Sequence, residues 1–230
     1  MKTIGIIGAM REEIETIKSK MEIVSVKNIV DVEFYMGSLF GKTVVLTRSG
    51  MGKVNAAVCT QVLIDLYAVD YIVNAGVAGA LSRELTIGDV VISSDVCQHD
   101  LNMSALGLEQ GAIPGLGTSF FPADEELIRL GNEAALKLNI IVYTGRIASG
   151  DFFIADKDRK NRIRQSFKAL CVDMESAAVG QACHLNKIPF VSVRAISDKA
   201  DAVADASFDK FVPLAAKKSS EITEGIIKLL

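Results

Sequence analysis

No C-x-x-C pair, no run of lysine or arginine and no apolar segment of bilayer length occurs in this sequence. Each absence removes a class of function. Cys59, Cys97, Cys171 and Cys183 are scattered without metal-ligand spacing, so they read as buried thiols in a reducing cytoplasm. The 25 basic residues are outweighed by 28 acidic ones, for a formal net charge of -3, and no lysine or arginine run marks a polyanion-binding footprint. That pattern argues against nucleic acid or an anionic membrane as partner, and suits a small neutral or cationic ligand. Spanning a bilayer takes about 20 apolar residues, and Met1-Lys2-Thr3-Ile4-Gly5-Ile6-Ile7-Gly8 runs into strand-like sequence without a signal-peptide pattern. The expectation is a cytoplasmic protein.

Familiar catalytic and nucleotide motifs are missing too. His99 and His184 form no metal or triad pattern, and no G-x-S-x-G elbow exists, so neither metal binding nor acyl transfer is expected. "GIIGAM" is G-x-x-G and not the dinucleotide fingerprint G-x-G-x-x-G. "SGMGKVN" fails as a phosphate loop, because Thr47 and Val54 stand where a glycine and a Ser or Thr are required.

What the chain does have is apolarity and alternation. Half of its 230 residues are hydrophobic, enough to bury a full core. Apolar β-branched runs alternate with helical patterns, which predicts an α/β fold with a largely parallel sheet. Strands are expected at Thr3 to Ile7, Val32 to Ser38, Thr43 to Thr47, Tyr71 to Asn74, Asp89 to Ser93, Ile140 to Ala148, Ala169 to Val172 and Ile188 to Ile196. Helices are expected at Arg11 to Lys20, Lys53 to Tyr67, Asp124 to Leu138, Asp158 to Ser166, Ser176 to Leu185 and Phe208 to Leu230. In the second helix Val54, Ala56, Ala57, Val58, Val62, Leu63 and Leu66 make a wide apolar stripe that reads as core. Asp100 to Pro122, rich in Gly and Pro, is too long for an idle loop.

Four glycine-containing turns follow expected strands, at Gly8-Ala9-Met10, Gly50-Met51-Gly52, Gly76-Val77-Ala78-Gly79 and Gly150-Asp151. Singly they are ordinary turns; together they favour a pocket at the carboxyl ends of the strands. Carboxylates gather at the same end: Glu12 and Glu13, Asp173 and Glu175, and Asp198. Glu12, Glu13 or Glu175 alone could simply complement a helix dipole. Arg194 and Asp198 adjoin an apolar strand, where an unmatched charge is costly. They are either a strand-end ion pair or part of a site, and burial alone does not decide between the two.

The stretches "IGIIGAMREEI", "SGMGKVNAA", "NAGVAGAL", "GDVVIS", "IASGDFFI", "VDMESAAVG" and "PFVSVRAISDKAD" together resemble the 5'-methylthioadenosine/S-adenosylhomocysteine nucleosidases of the purine nucleoside phosphorylase superfamily. The likeness runs in order over nearly the whole chain. It implies one domain over residues 1–230, with a mixed, largely parallel central sheet flanked by helices, nucleoside phosphorylase-like. The implied reaction is hydrolysis of the N-glycosidic bond of 5'-methylthioadenosine or S-adenosylhomocysteine, with 5'-deoxyadenosine a further candidate, without metal or organic cofactor. By matching position, Glu13 would activate water, Asp198 would protonate purine N7 with Ser197 and Arg194 in support, and Glu175 with Met174 would hold the ribose hydroxyls. Phe153 and Ile154 match the adenine contacts, Ala78 and Gly79 the floor, and Phe208 the aromatic near the ribose. The resemblance also implies a homodimer whose long loop brings Met103, Leu106 and Pro114 to the neighbour's 5'-substituent pocket.

The chain departs from the pattern at Arg11, Val77 and Asp173, where family members often carry Glu, Ser and Glu, and its loop lacks the usual aromatics. The chemistry still suits the residues. Adenine leaves well only when protonated, and the sugar becomes cationic, so an acid at the base and carboxylates at the sugar address both needs. Phosphorolytic relatives need cationic anchors where this chain has Glu13, so hydrolysis outranks phosphorolysis, with Arg11 keeping that question open. A non-catalytic nucleoside sensor is the third reading.

Overall fold

The computed structural model describes residues 2–201 and 204–230, with only the backbone at 205 and 206. Strands and helices follow in the order β1 (Thr3–Gly8), α1 (Arg11–Lys18), β2 (Glu22–Ile29), β3 (Val32–Leu39), β4 (Lys42–Arg48), α2 (Lys53–Tyr67), β5 (Tyr71–Ala80) and β6 (Val90–Gln98). After the long loop come β7 (Phe120–Pro122), α3 (Glu125–Leu138), β8 (Val142–Ser149), α4 (Lys157–Phe167), β9 (Cys171–Asp173), α5 (Ser176–Asn186), β10 (Phe190–Asp198) and α6 (Ala204–Leu229).

The strands join one mixed sheet in a single-domain α/β fold. β1 runs parallel to β4 and β5, β5 to β10, β6 to β8 and β8 to β9. Antiparallel ladders join β10 to β6, β9 to β5, β7 to β6, and β2 to β3 to β4. Because β5, β9, β8, β6 and β10 pair in a closed circuit, that part of the sheet rolls into a barrel. β1, β4, β3 and β2 extend from it as an open wing. Helices flank the sheet: α6 packs on β10, β5, α1 and α3, and α2 packs on α5. Ile4, Ile6 and Ile7 of β1 are buried in the main core, each burial contributing about 1.5–3 kcal/mol.

Four features depart from the sequence reading. The glycines of Gly76-Val77-Ala78-Gly79 lie inside β5 and not in a turn. The hairpin strand β2 went unrecognised because most of its side chains face solvent, and its turn residues Val30 and Asp31 take φ of 51° and 61° without glycine. The loop after Asp100 holds a short 3-10 turn, Ser104–Leu106, and the strand β7. On α2 the buried face is Ala56, Cys59, Thr60 and Leu63, spaced i, i+3, i+4, i+7. Val54, Val58 and Leu66, read as core, are exposed. All four cysteines are buried and unpaired, and burial pushes the Cys59 thiol up to about 11.

Candidate active site

β1, β5 and β10 are parallel neighbours, so their carboxyl ends face one side, and the turn from β9 into α5 comes in beside them. A cleft of about 560 Å³, its open mouth included, forms there. Of the residues singled out in the sequence, Glu13, Ala78, Gly79, Phe153, Ile154, Met174, Glu175, Ser197, Asp198 and Phe208 line it.

Glu13 belongs to the first turn of α1. Its Oε2 accepts the backbone N–H groups of Ala9 (2.7 Å) and Met10 (2.9 Å), and its Oε1 accepts that of Val77 in β5 (2.9 Å). The carboxylate therefore caps its own helix and is anchored to the adjacent strand. Burial pushes its pKa up, against the Arg194 charge and these N–H bonds, which pull it down. Glu13 thus both caps α1 and lines the cleft.

Arg194 does not pair with Asp198. Its Nε sits 2.5 Å from Asp173 Oδ2 and 3.1 Å from Ser176 Oγ, and its Nη2 lies 3.8 Å from Glu175 Oε2. The side chain is wholly buried and is not among the residues lining the cleft, so it supports the site from behind. Nη1 and Nη2 have no hydrogen-bond partner among the described residues. Space for the guanidinium comes from Gly76: a Cβ there would fall on Arg194 Nη1 and 2.6 Å from Glu13 Oε1.

Glu175 also accepts the N–H of Gly52 (2.8 Å). Gly52 holds φ at 96°, a conformation natural to glycine, and this is the task of the loop that resembled a phosphate cradle. Burial and the neighbouring Asp173 raise the Glu175 pKa, with Arg194 opposing them.

Asp198 ends β10, where the register against β5 shifts between Ile196 and Asp198. A β-bulge of this kind re-aims the side chain. Its Oδ1 accepts Ala200 N–H (2.8 Å) and its Oδ2 the Ser197 hydroxyl (2.9 Å). Burial raises its pKa, over the lowering effect of those two bonds. Gly79 again leaves the room, since a Cβ there would stand 2.8 Å from Asp198 Oδ1.

The mouth is apolar. The Phe153 and Phe208 rings meet edge to face at 5.4 Å, and Met51, Phe152 and Phe153 are exposed around it. Ala9, Met10, Met51, Val77, Phe152, Val172 and Asp173 line the cleft without having been assigned to it. The glycine turns around Ala9, Met10, Met51 and Val77 and the gathering of carboxylates that included Asp173 hinted at some of them. Met103, Leu106 and Pro114 are not among the lining residues of this cleft. No group of three or more His, Cys, Asp or Glu among the described residues is arranged to hold a metal ion.

Residues 3–228 match the model of the phosphorylase superfamily. A 5'-methylthioadenosine/S-adenosylhomocysteine nucleosidase of Staphylococcus haemolyticus is 43% identical, covering 99% of this chain and 100% of its own. The Neisseria meningitidis nucleosidase of that name, solved with methylthio-immucillin-A, is 41% identical, covers all of both chains and superimposes with a TM-score of 0.97. Helicobacter pylori futalosine hydrolase is 34% identical with a TM-score of 0.96, covering 100% of this chain and 98% of its own. A full-length match at such identity, on a barrel that gathers the expected carboxylates, makes this chain a member of the phosphorylase superfamily, in its 5'-methylthioadenosine/S-adenosylhomocysteine nucleosidase family.

Proposed function

We propose that the protein, as one domain over residues 1–230, hydrolyses the N-glycosidic bond of 5'-methylthioadenosine and S-adenosylhomocysteine, releasing adenine and the 5-substituted ribose. The observation that carries this reading is a pair of buried carboxyls on opposite supports of one cleft, Glu13 on α1 and Asp198 on β10, both with raised pKa.

Asp198, whose pKa burial raises, donates a proton to purine N7 and makes adenine a leaving group. As the glycosidic bond breaks, the sugar gains oxocarbenium character, which the Glu13 and Glu175 carboxylates stabilise. Water attacks C1' as Glu13 takes its proton. Glu175 and Met174 hold the ribose hydroxyls, Phe153 and Ile154 the adenine, and Ala78 and Gly79 the underside. Phe208 borders the ribose, and Ser197 orients Asp198 through the 2.9 Å bond. Arg194 keeps three neighbouring carboxylates from repelling one another apart. The reading calls for no metal or organic cofactor.

Hydrolysis is favoured over phosphorolysis because the cleft's ionisable lining is acidic. Arg11 is exposed and paired with Glu15 at 3.3 Å, and Arg194 is committed to Asp173. A homodimer in the cytoplasm completes the reading, with Met103, Leu106 and Pro114 closing the partner's 5'-substituent pocket. The exposed Val54, Val58 and Leu66 of α2 support such an interface.

Release of the free base (adenine, or hypoxanthine in the case of futalosine) from 5'-methylthioadenosine, S-adenosylhomocysteine, 5'-deoxyadenosine and futalosine, each with and without phosphate, tests the proposal. Phosphate-independent release from the first two is expected. Phosphate-dependent turnover, or tight binding without turnover, would overturn it, and release from futalosine alone would move the chain to that substrate.

A further inference from the structure

A second cleft adjoins the first and shares Ala9, Met10 and Met51 with it. Its remaining walls come from α1, from the β2–β3 hairpin and from the end of β4, and they carry both signs of charge: Arg11, Lys18 and Arg48 face Glu12, Glu15, Asp31 and Glu33. Several of these charges are already engaged. Arg11 pairs with Glu15, the Lys18 ammonium lies 3.8 Å from the centre of the Tyr35 ring, and Glu33 accepts the Tyr35 hydroxyl. Arg48, Glu12 and Asp31, all exposed, have no side-chain hydrogen bond or ion pair with any described residue. The cleft thus offers one free guanidinium and two free carboxylates next to a nucleoside pocket, and Glu12 lies two residues from Met10, which both clefts share.

The proposed pose says what would use them. With the purine at Asp198 and the ribose hydroxyls at Glu175, the apolar side bounded by Met10, Met51 and Phe208 is left for the 5' substituent. A methylthio group ends there. The S-adenosylhomocysteine substituent continues as a three-carbon chain bearing an ammonium and a carboxylate. We infer that the second cleft receives this zwitterionic end, with Arg48 pairing its carboxylate and Glu12 its ammonium. A guanidinium suits the first task because its parallel N–H groups match a carboxylate's two oxygens. This subsite rests on the nucleosidase reading and sets its preference among 5' substituents.

The test compares kcat/KM for three substrates: 5'-methylthioadenosine, uncharged 5'-butylthioadenosine and S-adenosylhomocysteine. In the Arg48→Glu variant, kcat/KM for S-adenosylhomocysteine falls about fivefold relative to the other two, mainly through KM, the scale set by an exposed ion pair. Added salt lowers the same ratio in the unmodified protein. An unchanged ratio in Arg48→Glu would overturn the subsite, and so would an equal loss on all three substrates. Failure of the unmodified protein to turn over 5'-methylthioadenosine would instead sink the nucleosidase reading.

Discussion

The acid role proposed for Asp198 depends on its surroundings. A free aspartate is ionised at neutral pH, but here burial raises the pKa against two hydrogen bonds that favour the anion, and only the protonated form can serve a purine nitrogen. In Asp198→Asn the amide oxygen can still accept the Ala200 N–H, so the fold and its Tm are retained. Turnover falls by about 10²–10⁴-fold, the usual contribution of a positioned acid, and a variant with unaltered kcat would show that the acid lies elsewhere. Two departures from the family pattern also become intelligible at this scale. Val77 lacks a hydroxyl, yet its backbone N–H binds Glu13. Asp173, one methylene shorter than glutamate, still reaches Arg194 Nε and the hydroxyls of Ser149 and Ser176.

At the scale of elements, the decisive arrangement is the convergence of α1, the β9–α5 turn and β10 on one guanidinium. Glu13, Asp173 and Glu175 surround Arg194 in a dry site, three carboxyls to one cation. Burial, reinforced by the negative charge of Asp173, raises the Glu175 pKa, and this has a consequence for stability. A carboxyl whose pKa is higher in the folded than in the unfolded state contributes fully below its unfolded value of about 4.3. That contribution is lost as pH rises through the folded value. Glu175→Gln removes the penalty, so its Tm relative to the unmodified protein climbs between pH 5 and pH 8, while activity is lost. A Tm difference that stays flat or falls over that range would contradict the charge balance drawn here. The same convergence explains β5: Gly76 and Gly79 were read as turn residues because small residues usually break strands, whereas here their missing Cβ atoms make room for Arg194, Glu13 and Asp198.

For the whole molecule, the prediction concerns assembly. In the proposed homodimer a second copy of the chain would cover the apolar residues that α2 leaves exposed and the aromatic mouth of the cleft. Light scattering should give the mass of two chains. Val58→Lys should dissociate them and lower turnover of 5'-methylthioadenosine, since each cleft would lose the loop carrying Met103, Leu106 and Pro114. A fully active monomer would remove that loop from the site. Periodicity alone could not place Val54, Val58 and Leu66 outside the core, because an apolar stripe that stays exposed looks like one bound for the core. The stripe on α2 illustrates the ambiguity.

The α/β class, most strand and helix positions and the carboxylates of the cleft were determined by the sequence itself, because apolar periodicity and residue order are local properties of the chain. The partners of those carboxylates were decided by the tertiary structure alone. That Arg194 answers Asp173 and Glu175 in place of Asp198, that Gly52 and Val77 supply N–H groups to Glu175 and Glu13, and that Arg48 stands free beside the cleft all follow from strand register. Register brings residues more than a hundred positions apart into contact, and no window along the chain contains it.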